Sequence, residues 1–99
     1  MTTKTVRIEY TIRDGVDLAE ITAGVAGFVR ELAAHPATRH YASYQHASAP
    51  RQFTHIGSFG EGLADLQARP FFGAWTAFLR DRCEHGPVVT QLAEVASTR

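Results

Sequence analysis

The sequence predicts an α+β fold of the ferredoxin-like kind, an antiparallel sheet with helices on one face and the element order β-α-β-β-α-β. Three observations predict it. Two stretches with apolar residues at helical spacing each lie between stretches that read as strands; the two halves meet in a hairpin; and the four prolines, at positions 36, 50, 70 and 87, all fall at element boundaries.

The first strand is Val6 to Ile12, where Val6, Ile8, Tyr10 and Ile12 alternate with Arg7, Glu9 and Thr11. That period of two gives one buried face and one polar face. Asp14-Gly15 breaks the strand, and Asp17 with Glu20 makes a start resembling a capping box. Leu18, Ile21, Val25, Phe28, Val29 and Leu32 then fall on one helical stripe, which Pro36 ends. Thr38 to Ala47 is a second strand, with Arg39, Tyr41, Ser43 and Gln45 on one face and His40, Ala42, Tyr44 and His46 on the other. Neither face is cleanly apolar. A four-residue loop, Ser48 to Arg51, leads to a third strand over Phe53 to Phe59.

Gly60 and Gly62 open a helical region that Pro70 divides, with Leu63 and Leu66 before it and Phe71, Phe72, Trp75, Phe78 and Leu79 after it. Gly86-Pro87 stops this helix, and Val88 to Ala96 forms the last strand. With helices on one face only, the other face of the sheet meets water or a partner. Strands carrying Tyr44, Phe53 and Phe59 look too apolar to leave bare, so the sequence predicts a dimer through the open face.

Residues 1–99 read as one domain, since 44% hydrophobic and 20% charged residues in a chain of this length suit one globular core. Ten basic residues balance ten acidic ones, so no long-range field draws nucleic acid or an anionic membrane. Cys83 is the single cysteine, which excludes an internal disulfide. No stretch reads as a signal peptide or as the roughly 20 apolar residues of a membrane span, so the expected location is cytoplasmic.

The run His55-Ile56-Gly57-Ser58-Phe59, the Gly60 to Arg69 helix, and Pro70-Phe71-Phe72 on to Phe78 resemble the antibiotic biosynthesis monooxygenase domain. In that family a third strand ending in an aromatic precedes a short acidic helix and a Ser-Pro-His-Phe-like helix start. Cys83-Glu84-His85-Gly86-Pro87, followed by Leu92 to Ser97, is similar to the C-terminal strand of the same group. The resemblance spans nearly the whole chain and identifies the superfamily of dimeric α/β barrels. It implies a homodimer, a pocket in each subunit between sheet and helices, and oxygenation of polycyclic phenols, quinols or anthrones without metal, flavin or haem. Many members carry a Glu where this chain has Gly57 and a His where it has Arg69, so the roles of those groups do not carry over.

Cofactor-free oxygenation needs a base, an aromatic-lined pocket, and donors that hold the anion formed. His40 and His46 lie about 20 Å apart along one strand at roughly 3.3 Å per residue, too far to serve one centre. If Ala47 pairs with Gln52, Tyr44 sits opposite His55 with His46 as its diagonal neighbour. His55, Tyr44 and His46 are therefore the catalytic candidates, and Trp75, Phe72 and Phe59 the substrate-binding ones. A register shifted by one residue would separate the first three. No metal site is read from the sequence. His35 and His85 are expected to cap helix ends, Arg80 and Glu84 to form a surface i, i+4 pair, and Cys83 to be an unreactive thiol. Arg7 and Glu9 are either solvated or paired inside a dimer. Two further functions stay open: haem binding and degradation with one axial His, and binding of an aromatic compound without turnover.

Overall fold

The computed structural model describes residues 3–98. Strand β1 (Lys4–Ile12) leads to helix α1 (Leu18–Ala33), β2 (Thr38–His46), β3 (Ala49–Phe59), the short α2 (Leu63–Gln67), α3 (Pro70–Arg82) and β4 (Cys83–Leu92). The sheet order is β2-β3-β1-β4 and every neighbouring pair is antiparallel. Each half is thus a strand, a helical crossover and a strand placed two positions away, with one strand of the other half between them, the ferredoxin-like plan.

Helix α1 begins where the Asp17 carboxylate accepts from the Ala19 amide at 2.9 Å. Glu20 does not reach back to close a capping box. Its carboxylate instead accepts from Arg82 at 3.1 Å, joining the start of α1 to the end of α3. The stripe Ile21, Val25, Phe28 and Leu32 is buried, and removing each such side chain from water is worth about 1.5–3 kcal/mol. It packs on the face of β1 that carries Val6, Tyr10 and Ile12, in two apolar clusters that both include Trp75 and Ile8 at their margins.

Three expectations about boundaries are corrected. The β2–β3 connection is a two-residue turn at Ala47 and Ser48, not a four-residue loop, and Pro50 lies inside β3. Pro50 is tolerated because β3 pairs with β1 only from Gln52 onward, so its missing N–H faces no strand on that side. Arg51 secures the overhang by donating to the carbonyls of Arg13 and Val16 at 2.9 and 3.0 Å. Helix α3 ends at Arg82 and β4 runs from Cys83 to Leu92, so Gly86-Pro87 sits within the strand instead of ending the helix. Here β1 and β4 change register between Glu9 and Thr11, and Gly86, at φ 84°, comes so near β1 that a Cβ would stand 2.6 Å from the Glu9 carbonyl oxygen. Only glycine fits that position.

The register also sorts the sheet into faces. Phe53, His55, Gly57 and Phe59 point to the helices together with Val6, Ile8 and Tyr10, while Thr54, Ile56, Arg7, Glu9 and Tyr44 point to the open side. Of the three side chains expected to make the open face apolar, only Tyr44 lies there; Phe53 and Phe59 are core. Among the described residues no helix is long and apolar enough to cross a membrane.

Candidate active site

Between the sheet and α3 lies a cavity of about 430 Å³. Its walls come from β1 (Val6, Ile8), α1 (Phe28), β2 (Tyr41), β3 (Phe59) and α3 (Phe72, Trp75), and the lining is mostly apolar and aromatic. This is the size and character of a pocket for a small organic ligand. Trp75 stacks on Phe28 at 4.8 Å and on Phe78 at 5.5 Å between ring centroids. Phe72, Phe59 and Trp75, the expected ligand-contacting aromatics, all line this cavity.

Among the described residues the buried polar side chain of the core is His55, 1% exposed, behind the cavity wall. Both of its ring nitrogens are engaged. Nδ1 is 2.7 Å from the Tyr41 hydroxyl and Nε2 is 2.8 Å from the Tyr10 hydroxyl. Trp75 lies nearly parallel to the imidazole, with centroids 6.2 Å apart, and both tyrosine rings meet it edge-on. Burial lowers the His55 pKa to about 4, so the ring is neutral near pH 7. Burial likewise raises both tyrosine pKa values, with the Tyr41 and Cys83 charges adding to the rise at Tyr10.

A neutral imidazole has one N–H and one bare nitrogen, so one tyrosine donates to it and the other accepts from it. Tyr10 is 3% exposed, and among the described residues its hydroxyl has no partner but His55. Were Tyr10 the acceptor, its own O–H would be left buried and unpaired, at a cost of about 1–3 kcal/mol. The satisfied arrangement runs one way: Tyr10 O–H donates to Nε2, Nδ1–H donates to the Tyr41 oxygen, and the Tyr41 O–H is left free to donate to another group.

Space for the Tyr41 ring comes from Gly57, its partner across β2 and β3. A Cβ at Gly57 would stand 2.6 Å from Tyr41 Cδ2 and 2.9 Å from Phe59 Cε2. The space beside Gly57 is therefore occupied by the side of a tyrosine ring. Arg69 forms an i, i+4 pair with Asp65 at 2.9 Å outside the cavity. His35 also meets Asp65 at 2.9 Å, and these two contacts, His35 first, hold the Asp65 carboxyl below its usual range.

The expected patch of His55, Tyr44 and His46 is not assembled. Ser43, not Tyr44, stands opposite His55, and Tyr44 pairs with Thr54 one place along. That shift of one residue puts Tyr44 on the open face, 55% exposed, and His46 beside it, hydrogen-bonded to Thr54 at 2.8 Å. Arg7 and Glu9 pair with each other on the same face at 3.2 Å. His85 is in β4, not at a helix end, and pairs with Glu84 at 3.2 Å, which leaves Arg80 without the partner expected for it. The Cys83 thiol is pushed up chiefly by burial.

Sequence reading missed Tyr10 and Tyr41 as site residues. Tyr10 was visible as a core position of β1, and Tyr41 lay on the β2 face shared with Arg39 and Gln45, which reads as polar. Among the described residues no three His, Cys, Asp or Glu side chains converge as metal ligands.

No family model matches the chain, and no curated protein matches it by sequence. Solved structures do. SnoaB, a cofactor-independent oxygenase from Streptomyces nogalater, superposes with a TM-score of 0.82 at 13% identity, over 99% of this chain and 98% of that one. A protein described as an antibiotic biosynthesis monooxygenase gives 0.82 at 13% identity, over 96% and 100%. Rv0793 from Mycobacterium tuberculosis gives 0.81 at 16% identity, over 99% and 100%. At these identities the likeness establishes the fold, and with it the ferredoxin-like α+β class.

Proposed function

We propose that the protein is a cofactor-independent monooxygenase of the quinol or anthrone type, acting on a small planar aromatic substrate, and that it works as a homodimer closed through the open sheet face. The observation that carries this reading is the hydrogen-bonded chain from Tyr10 through His55 to Tyr41, a residue that lines the aromatic cavity. The fold shared with SnoaB, which is described as a cofactor-independent oxygenase, supports it.

In such a reaction the substrate loses a proton, and the resulting carbanion or phenolate gives electrons to O2. For a CH2 centre one oxygen atom ends as the new carbonyl and the other leaves as water with the two hydrogens. The step that the protein can assist is the first. A Tyr41 hydroxyl polarised by His55 donates to the substrate oxygen on which negative charge develops, against mostly apolar walls. His55 does not line the cavity, and with its Nδ1–H given to Tyr41 and its Nε2 held by Tyr10 it offers no bare nitrogen on that side, so it acts as the donor behind Tyr41 and not as the base. Tyr41 is thus the catalytic group of this reading, and His55 and Tyr10 position it.

Oxygen uptake with anthrone and quinol substrates tests the reading. Turnover should fall about 100- to 1,000-fold in Tyr41→Phe, the loss expected for one oxyanion donor. The absence of turnover with every such substrate, or an unchanged rate in Tyr41→Phe, refutes it. Haem ligation fits less well, because both His55 nitrogens are taken and no other histidine lines the cavity.

A further inference from the structure

The charged side chains that line the cavity are Lys4, from β1, and Arg80, from α3; no Asp or Glu lines it. Both cations are exposed, and neither makes an ion pair or hydrogen bond among the described residues. Other arginines are differently placed: Arg51, Arg69 and Arg82 each stand beside a carboxylate. Glu84, four residues beyond Arg80, is carried away by the start of β4 and taken by His85. A chain with equal numbers of acidic and basic residues therefore presents an apolar cavity whose fixed charges have one sign.

We infer that the ligand of this cavity is an aromatic acid, its rings among Phe28, Phe72 and Trp75 and its carboxylate drawn by Lys4 and Arg80. A neutral aromatic gains only burial there. An acid gains in addition from two unneutralised cations against a low-dielectric wall, and the guanidinium can take a carboxylate with two parallel bonds. The inference rests on the cavity being the substrate site of the proposed oxygenase, but not on the oxygenation itself.

Trp75 is the only tryptophan and lines the cavity, so its fluorescence reports ligand entry directly. Naphthoate and uncharged naphthamide, matched in shape, are titrated against wild type, Lys4→Gln, Arg80→Gln and the double variant; both positions are exposed, so the variants fold. The acid should bind about tenfold more tightly than the amide, a size set by partly exposed charge pairs. The preference should shrink in each single variant, vanish in the double variant, and fade at 1 M salt, where screening acts within about 3 Å. Equal affinities in wild type, or a preference that survives in the double variant, overturn the inference and leave the oxygenase reading standing. Quenching by neither compound overturns it as well. Binding of the acid together with no oxygen uptake from any quinol sinks the oxygenase reading alone.

Discussion

His55 is a titratable ring sealed in the core, and its energetics follow from that. The unfolded chain binds a proton at an ordinary histidine pKa of 6.5, the native ring only near 4. Between these values the unfolded state holds more protons, so stability rises with pH through the window and is lost as pH falls from 6.5 toward 4. At about 1.4 kcal/mol per pH unit, the loss reaches about 3 kcal/mol once the pH is below both values. Denaturant unfolding at pH 7 and pH 4 should show that loss in wild type and a smaller one in His55→Gln, whose remaining slope reports the carboxylates. Equal slopes would mean that His55 is not buried neutral. The sequence singled out His55, and the structure places it in the core. Its partners were not legible there, because tyrosine in a strand reads equally well as core, surface or site, and only the register says which.

At the scale of elements, helices and strands differed in how far the sequence revealed them. The α1 stripe, its Asp17 cap and the Pro70 start of α3 are signals within one segment, and each lies where the spacing placed it. Strand pairing depends on two segments and on the turn between them. Ala47-Ser48 carries no Asn-Gly or Asp-Gly signal, and a bulge between Gln45 and His46 alters the count. One residue of error moved Tyr44 to the wrong face. Gly57 was the overlooked clue, since a glycine inside a strand marks a close approach. Two glycine substitutions separate this role from ordinary backbone freedom. Gly57→Ala forces the Tyr41 ring off β3 and should cost about 1–3 kcal/mol by overpacking. Gly73→Ala, in α3, meets nothing within 4 Å and should gain about 0.5–1 kcal/mol. Chemical denaturation of both variants checks the pair, and a neutral Gly57→Ala would show that the ring and strand are not in contact.

The whole molecule measures 44 × 32 × 19 Å, and the short dimension is that of one sheet with one layer of helices. The far side of the sheet is uncovered. Four strands at roughly 4.8 Å spacing and nine residues at roughly 3.3 Å each give a face of about 19 by 30 Å, close to what one partner contributes to a standard interface. Its apolar groups are Ile56, the half-exposed Tyr44 and Val88, set among threonines and the Arg7–Glu9 pair, so a partner of the same shape and chemistry covers it best. Light scattering at micromolar concentration should give about twice the 10.9 kDa chain mass, and Ile56→Lys, which places a cation at the centre of the face, should give the single mass. A wild-type monomer would end the dimer proposal, and a dimeric Ile56→Lys would move it to another surface. The cavity lies on the helix side of the sheet, so the monomeric variant should still show Trp75 quenching by an aromatic ligand. If dissociation abolished that quenching, the pocket would depend on the partner, and a cavity built within one chain could not by itself be the substrate site.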